Sequence, residues 1–264
     1  MISSVWGLLL VGLVLASVVM AGLWVVQVRI HDASHVDVAW AGLIACAAIL
    51  YALLADGDVA HRMLAAVLAS VWGFRLGAYL FFNRILGKEE DGRYRALRAK
   101  WGERGNANRN FLWFFQFQAV FVVYFSLPFA FIALDPASGF GVFAWIGIAL
   151  WAVGNVGTIL ADRQLAQWRA NPENKGTTAR EGLWSWSRHP NYFFEWVNWC
   201  GNAVVATTAP MGWIAWIVPA GLLLLLFRVT GIPATEAHAL RSRSDYAEYQ
   251  RTTSVFVPLP PRHA

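Results

Sequence analysis

Apolar runs of about 20 residues recur along this chain, and a run of that length can cross a hydrocarbon layer roughly 30 Å thick. They fall at 4–28, 37–55, 61–83, 111–134, 140–161, 191–209 and 211–230. In hydrocarbon the backbone must satisfy its own hydrogen bonds, and with no strand pattern in the sequence these runs are expected to be helices. The expected fold class is therefore all-α, a polytopic membrane protein with about seven transmembrane helices. Composition agrees: 58% of the 264 residues are hydrophobic and only 14% are charged, against roughly 25% charged in a soluble domain. The 15 Trp suit interfacial aromatic belts.

The charges that remain give an orientation. Arg84, Lys88, Arg93, Arg95, Arg98, Lys100, Arg104 and Arg109 crowd the segment 84–110. Arg163, Arg169, Lys175, Arg180 and Arg188 occupy 162–190, and Arg241, Arg243, Arg251 and Arg262 lie in the tail. The intervening connections carry Asp56 and Asp58, Asp135, or no charge near Pro210. Basic loops stay in the cytosol. Alternate basic loops fit seven crossings with the N-terminus outside and the C-terminus cytosolic; an even number would strand one terminus. The first run lacks a basic lead and a small-residue cleavage site, so it is expected to be a membrane helix. No Gly/Ser/Pro-rich linker or internal repeat divides residues 1–264, which are expected to form a single domain. Cys46 and Cys200 lie in apolar runs and suggest neither a disulfide framework nor a metal site.

Three helices carry polar residues at helical spacing. Asn191, Glu195, Asn198 and Asn202 share one face; so do Asn155, Thr158 and Asp162, with Arg169 beyond; so do Trp72, Arg75, Tyr79 and Asn83. Amides and hydroxyls often serve as interhelical glue, the heavier reading for Asn202 and Thr158. A carboxylate in hydrocarbon needs a partner or a polar cavity, so Glu195 and Asp162 read as functional. Arg75 reads equally well as a neutralising partner. Three such faces would line a polar cavity open to the cytosol and rimmed by arginines. That suits an anionic ligand, although the same arginines could enforce topology or hold acidic lipid headgroups. No GxGxxG or Walker loop is present, so a nucleotide would be held by helix ends, loops and arginines.

The segment Gly182-Leu-Trp-Ser-Trp-Ser-Arg-His-Pro-Asn-Tyr192, followed by Glu195, resembles the C-terminal signature of the steroid 5-alpha-reductase family, particularly its bacterial members. Sterol reductases and isoprenylcysteine carboxyl methyltransferases carry related Arg-His-x-x-Tyr segments. Asp162-Arg163-Gln164 with Arg169, Trp72-Gly-Phe-Arg75-Leu-Gly, Asn83-Arg84, Glu90-Asp91-Gly92-Arg93-Tyr94 and the ending Asp245-Tyr246 through Pro258 extend the resemblance over roughly residues 35–260. The resemblance implies a seven-helix fold, NADPH as hydride donor and a flat apolar enone as substrate. It implies that Asp162, Arg169, Asn191, Tyr192 and Glu195 hold the nucleotide, with Asn83 and Arg84 assisting and Arg188 and His189 in the shared motif. Animal members hold the substrate ketone with a Gln-Glu pair and a Tyr. This chain reads His35-Val-Asp37-Val-Ala-Trp40, with Trp72 where the Tyr would stand.

Reduction of the C=C bond of a 3-oxo-Δ4-steroid or similar enone is the expected activity, with Glu195, Asp37 and Trp72 as candidate catalytic residues. A carboxylic acid kept protonated by burial could serve the developing enolate oxygen. The alternatives are an S-adenosylmethionine-dependent methyltransferase, using the Arg-His-Pro segment with Glu236, and a non-catalytic sterol- or lipid-binding membrane protein. The expected setting is a monomer in the bacterial inner membrane, taking an apolar substrate from among the membrane lipids, with its active site open to the cytosol and no metal or nucleic acid.

Overall fold

The computed structural model describes residues 1–229 and 231–261. Thr230, which ends the last expected span, and Arg262 of the basic tail lie outside the described residues. Those residues form helices and turns, with isolated bridges (Ile2 with Ala55, Ser187 with Ser254) as their only extended pairings. Six helical stretches are long and apolar enough to cross a membrane: Val5–Ile30, His35–Leu54, Val59–Ile85, Ala107–Ala133, Val142–Ala170 and Gly212–Ser242. The expected run at 191–209 becomes a helix, Pro190–Ala206, of 17 residues, a little short of the usual membrane span.

The chain divides into two units, Met1–Gly141 with Ala206–Gly212, and Val142–Val205 with Trp213–Ala264. The first holds α1 (Val5–Ile30), α2 (His35–Leu54), α3 (Val59–Leu80), α4 (Gly92–Gly102) and α5 (Ala107–Ala133). Helices α2 and α3 pack side by side, and α5 lies against α1, α2 and α3. Within this bundle the Tyr51 hydroxyl meets Ser126 Oγ at 2.9 Å, and Gly12 leaves the space that the Tyr51 ring fills. At one end, Asp58 caps α3 by accepting from the Ala60 N–H. Beside it the buried Asp135 accepts from Thr208 Oγ1 at 2.5 Å and from the Ala137 N–H at 3.0 Å, with His61 3.7 Å away. At the other end α3 winds into a π turn, Phe81–Ile85, which carries Asn83 and Arg84; such turns recur at functional sites.

The second unit is built on α6 (Val142–Ala170) and α7 (Pro190–Ala206). At roughly 1.5 Å per residue, the 29 residues of α6 exceed the hydrocarbon thickness, so Arg163 and Arg169 ride on a helix that continues past its apolar part. Small residues let α6 and α7 approach closely. A Cβ on Gly154 would lie 2.4 Å from the Asn198 backbone nitrogen, and one on Gly147 would lie 2.6 Å from the Gly201 carbonyl. The last apolar run is irregular: a 3₁₀ turn at Gly212–Trp216, then α8 (Ile217–Leu224), then a π turn at Leu225–Val229. Two short helices follow, α9 (Ile232–Ser242) and α10 (Tyr246–Thr252).

Candidate functional site

The polar faces of α6 and α7 meet inside the second unit. Asn155 Nδ2 donates to Asn198 Oδ1 at 2.8 Å, and one helix end away Asn191 Nδ2 donates to Asp162 Oδ1 at 3.1 Å. Asn191 also accepts from the Tyr192 N–H at 3.0 Å. Glu195, between these contacts, accepts from Trp199 Nε1 at 3.1 Å. Thr158 and Asn202 turn back onto their own helices, to the carbonyls of Gly154 and Asn198. Among the described residues, three buried amide atoms on this face, Asn155 Oδ1, Asn198 Nδ2 and Asn202 Oδ1, have no hydrogen-bond partner, which is costly in a buried seam.

Beyond this face α6 ends in a cavity of about 290 Å³ lined by Arg169, Lys175 and Arg243. A neighbouring cavity of about 460 Å³ shares Trp168, Asn171 and Asn174 with it and adds Gln164 and Trp184. Three cations around a hollow bordered by amides and indoles can take a phosphate and a flat polar ring. Lys175 and Arg243 were singled out only as loop charges. Their convergence on Arg169 depends on the fold of 170–185, where Asn171 caps a 3₁₀ turn by accepting from the Glu173 N–H. Among the described residues no three His, Cys, Asp or Glu side chains converge on a point that could hold a metal.

Arg188 and His189, also expected among the nucleotide-binding residues from the shared motif, make their side-chain contacts with the tail and Tyr192. Both face Glu236 of α9: Arg188 Nε lies 2.7 Å and His189 Nε2 3.2 Å from Glu236 Oε1. Arg188 Nη1 donates to the carbonyls of Gln250 and Thr253, and Gln250 Nε2 donates to Glu236 Oε2. The His189 ring stacks on Tyr192 at 5.3 Å with an interplanar angle of 5°. Tyr249 locks the same region by donating to the carbonyls of Trp184 and Ser187; burial, then the neighbouring Tyr246, pushes its pKa up, so it stays a donor. Asp245 accepts from Thr178. The Arg-His-Pro segment is thus clasped to the tail by Glu236, Tyr249 and Gln250. Residue spacing carried no signal for that contact, because the partners lie 47 or more positions apart.

The remaining candidates lie in the first unit. Asp37, in the first turn of α2, accepts from Tyr94 OH at 2.6 Å and from Arg93 Nη2 at 2.7 Å, with Arg84 Nη1 3.9 Å away. This is the place of an acceptor in an ion-pair cluster, which does not suit a proton donor. Asp91 caps α4 and binds Arg93 through both its oxygens. Glu90 accepts from the Ala33 N–H and pairs with Arg98 at 2.7 Å. The Glu-Asp-Gly-Arg-Tyr segment is therefore a latch between α4 and the start of α2. Trp72 is 1% exposed and packs edge-on against Trp40 at 5.9 Å, the place of a core ring and not of a proton donor to a substrate. Asn83 Nδ2 donates to the Tyr79 carbonyl at 2.7 Å.

The comparisons with known proteins agree with this picture at the level of family. Residues 23–253 match the family described as "Protein of unknown function (DUF1295)". The chain is 27% identical over 112 residues to 3-oxo-5-alpha-steroid 4-dehydrogenase 1 of Rattus norvegicus, a stretch that covers 42% of the chain and 40% of that protein. The corresponding protein of Mus musculus is 28% identical over 113 residues, with the same shares. The matched stretch thus spans about two fifths of these relatives. The likeness bears out the steroid 5-alpha-reductase resemblance read from the sequence. No solved structure matches the chain.

The latch has a pH signature. The hydrogen bond from Arg93, opposed by partial burial, holds the Asp91 carboxyl below its ordinary value, and Arg93 in turn is held protonated by Asp91 and Asp37 against its own burial. A carboxyl with a lowered folded pKa stabilises the fold in full above its unfolded pKa of roughly 4, and that stability is lost as the pH falls through the folded value. Amides of 88–98 are expected to keep their hydrogen-exchange protection from pH 7 to pH 5 and lose it below about pH 4. Asp91→Asn is expected to show the low-pH protection already at pH 7; unchanged protection in that variant would leave the latch without a role for Asp91.

Proposed function

The chain belongs to the DUF1295 family, and from that premise we propose that it is a membrane reductase that uses NADPH to saturate the C=C bond of an apolar enone such as a 3-oxo-Δ4-steroid. The observation that carries the proposal is the pairing of the α6 and α7 polar faces beside a cavity lined by three cations. The cavity of Arg169, Lys175 and Arg243 suits the phosphates of such a nucleotide, and the polar seam of α6 and α7 leads from it into the apolar part of the unit. When bound, NADPH supplies a hydride to the β-carbon of the enone. Arg169, Lys175 and Arg243 hold phosphate. Asp162, Asn191 and Tyr192 orient the nucleotide, and Glu195 accepts from its carboxamide or donates to the substrate ketone. Arg188 and His189 position Tyr192 through their clasp on Glu236.

In this proposal residues 1–264 act as one seven-helix domain, with Pro190–Ala206 as the seventh crossing. The enzyme works as a monomer in the bacterial inner membrane, takes its substrate from among the lipids, opens its site to the cytosol and uses no nucleic acid or metal. The alternation of basic and acidic loops supports an N-terminus outside. A reporter inserted at Ala137 is expected to be outside and one fused after Ala264 cytosolic; both on one side would refute an odd number of crossings.

A second reading, methyl transfer from S-adenosylmethionine, is favoured by the approach of Glu236 to Arg188 and His189. The cation-lined cavity weighs against it, because S-adenosylmethionine carries no phosphate. Titration of the purified protein with each compound separates them. NADPH is expected to bind and to do so more weakly in Arg169→Ala, by about 10- to 150-fold, the worth of a charge-assisted phosphate contact of roughly 1.5–3 kcal/mol. NADH binding is expected to change little. Tight S-adenosylmethionine binding with no response to NADPH would exchange the two readings.

Glu195 is tested by Glu195→Gln, which keeps the size and the hydrogen bonds but removes the acid. If the residue only positions the cofactor, turnover is expected to survive largely intact. If it is the proton donor, kcat is expected to fall by roughly 10²- to 10⁴-fold with NADPH affinity unchanged. Positioning is the favoured role, because the Trp199 indole already donates to this carboxylate. Full activity and full cofactor affinity in Glu195→Ala would remove the residue from the site.

A further inference from the structure

A groove of about 700 Å³ runs along α5 in the first unit, walled by Trp101 of α4 and by Asn110, Trp113, Phe114, Phe117 and Val120 of α5. Its large side chains are turned outward: Trp113 is 69% exposed and Phe117 57%. Its shape is nevertheless fixed. Trp101 packs edge-on against Phe111 at 4.9 Å, and Arg98, already paired with Glu90, lies over the same Phe111 ring at 4.6 Å. Gln116, which also lines the groove, donates to the Ser17 carbonyl of α1 through Nε2. Trp24 of α1 donates to the Asn108 carbonyl.

The groove has a chemical direction. Its lining reaches Trp101 and Asn110, where α4 hands over to α5, and beside these in the chain Lys100, Arg104 and Arg109 are exposed, against the single acid Glu103 in 100–110. Among the described residues none of these three cations pairs with a carboxylate, whereas Arg93, Arg95 and Arg98 all do. Arg109, Trp113, Gln116 and Val120 follow one another at i, i+4, i+7 and i+11, so Arg109 lies on the same stripe as the aromatic floor. From Asn110 to Val120 the helix rises about 15 Å, half of a hydrocarbon core roughly 30 Å thick. The groove therefore starts beside cations and amides and ends one leaflet deep among apolar side chains. A sterol presents no anion to these cations.

We propose that this groove binds an anionic glycerophospholipid, with its phosphate at Lys100, Arg104 and Arg109, its ester region at Asn110 and Gln116, and an acyl chain against Trp113 and Phe117. The site requires α5 to cross the bilayer but does not depend on the reductase reading. Basic pockets at membrane surfaces hold acidic headgroups in this way, and Trp is suited to the boundary between hydrocarbon and headgroup. The bound lipid would steady α4, and with it the latch on Asp37.

Native mass spectrometry of the detergent-purified full chain tests the proposal, with phosphatidylglycerol and phosphatidylcholine of identical acyl chains as probes. The unaltered chain is expected to retain one phosphatidylglycerol in clear preference to phosphatidylcholine. Arg109→Gln is expected to weaken phosphatidylglycerol binding about fivefold, equivalent to roughly 1 kcal/mol for a basic residue near an anionic lipid. Replacing Lys100, Arg104 and Arg109 together by Gln is expected to cost about 100-fold and to abolish the preference, while Trp113→Ala weakens both lipids alike. All three cations are exposed, and an unchanged melting temperature verifies that the charge variants fold. Equal retention of the two lipids by the unaltered chain, or a preference that survives the triple substitution, overturns the proposal. So does a disulfide-linked dimer of Val120→Cys in lipid-free detergent, which would make the groove an interface between two copies. NADPH titration of the same samples keeps this test separate from the reductase reading.

Discussion

Asn155 and Asn198 share a hydrogen bond where there is no water to replace it, and the second unit is organised around that contact. An amide in hydrocarbon is stable only beside another polar group, so the two stripes have to face each other. The glycines make the approach possible. Gly154 sits against the Asn198 backbone and Gly157 against the Phe194 ring, and a side chain at either would force the helices apart. Once α6 and α7 are in register, Asn191 reaches Asp162 at the far end of the same seam. Glu195 is then held between two paired points on a seam it did not have to create.

Charge is handled in two ways. In the latch and in the clasp, arginines are consumed by carboxylates: Arg93 by Asp37 and Asp91, Arg98 by Glu90, Arg188 by Glu236. Around the cavity at the end of α6 and beside the α5 groove, cations gather without such carboxylate pairing among the described residues. A cation beside a carboxylate has its field largely cancelled, whereas converging cations attract an anion. The first kind therefore fixes loops, and the second is the kind the proposed ligand sites use. This distinction gives Arg169 and Arg188 different roles, although both lie in segments that resemble the same family.

Much of this was legible in the sequence, because hydrocarbon leaves few options. The apolar runs became helices, and the polar spacing on α6 and α7 fell on single faces since a helix has no other period to offer. The expected run 140–161 stops where hydropathy drops, yet the helix continues to Ala170, because Arg163 and Arg169 are good helix formers once water is within reach. The run at 211–230 gave no sign of its break into 3₁₀, α and π turns, which follow from local carbonyl pairing and not from hydropathy. Asp37 and Trp72 were placed by alignment to a pattern. Their surroundings, Arg93 and Tyr94 for one and Trp40 for the other, come from contacts that spacing does not encode.

The Arg-His-Pro-Asn-Tyr segment shows why a signature can be specific for a family and weak for a reaction. Its first two side chains turn toward Glu236 and the tail carbonyls, and its last two turn toward Asp162 and the stacked His189 ring. Half of the motif holds the tail in place and half begins the seam. Any chemistry that needs a helix end braced by the C-terminal segment would keep the first half, whatever cofactor it used. On the proposed reading the choice of cofactor falls to positions outside the motif: the cations at the end of α6 for phosphate, and Glu195 one turn into α7 for an amide or a ketone. In the first unit Asp37 is already an acceptor for Tyr94 and Arg93. A carboxylate that already accepts from two donors is poorly placed to give a proton to an enolate, whatever the family pattern suggests for that position.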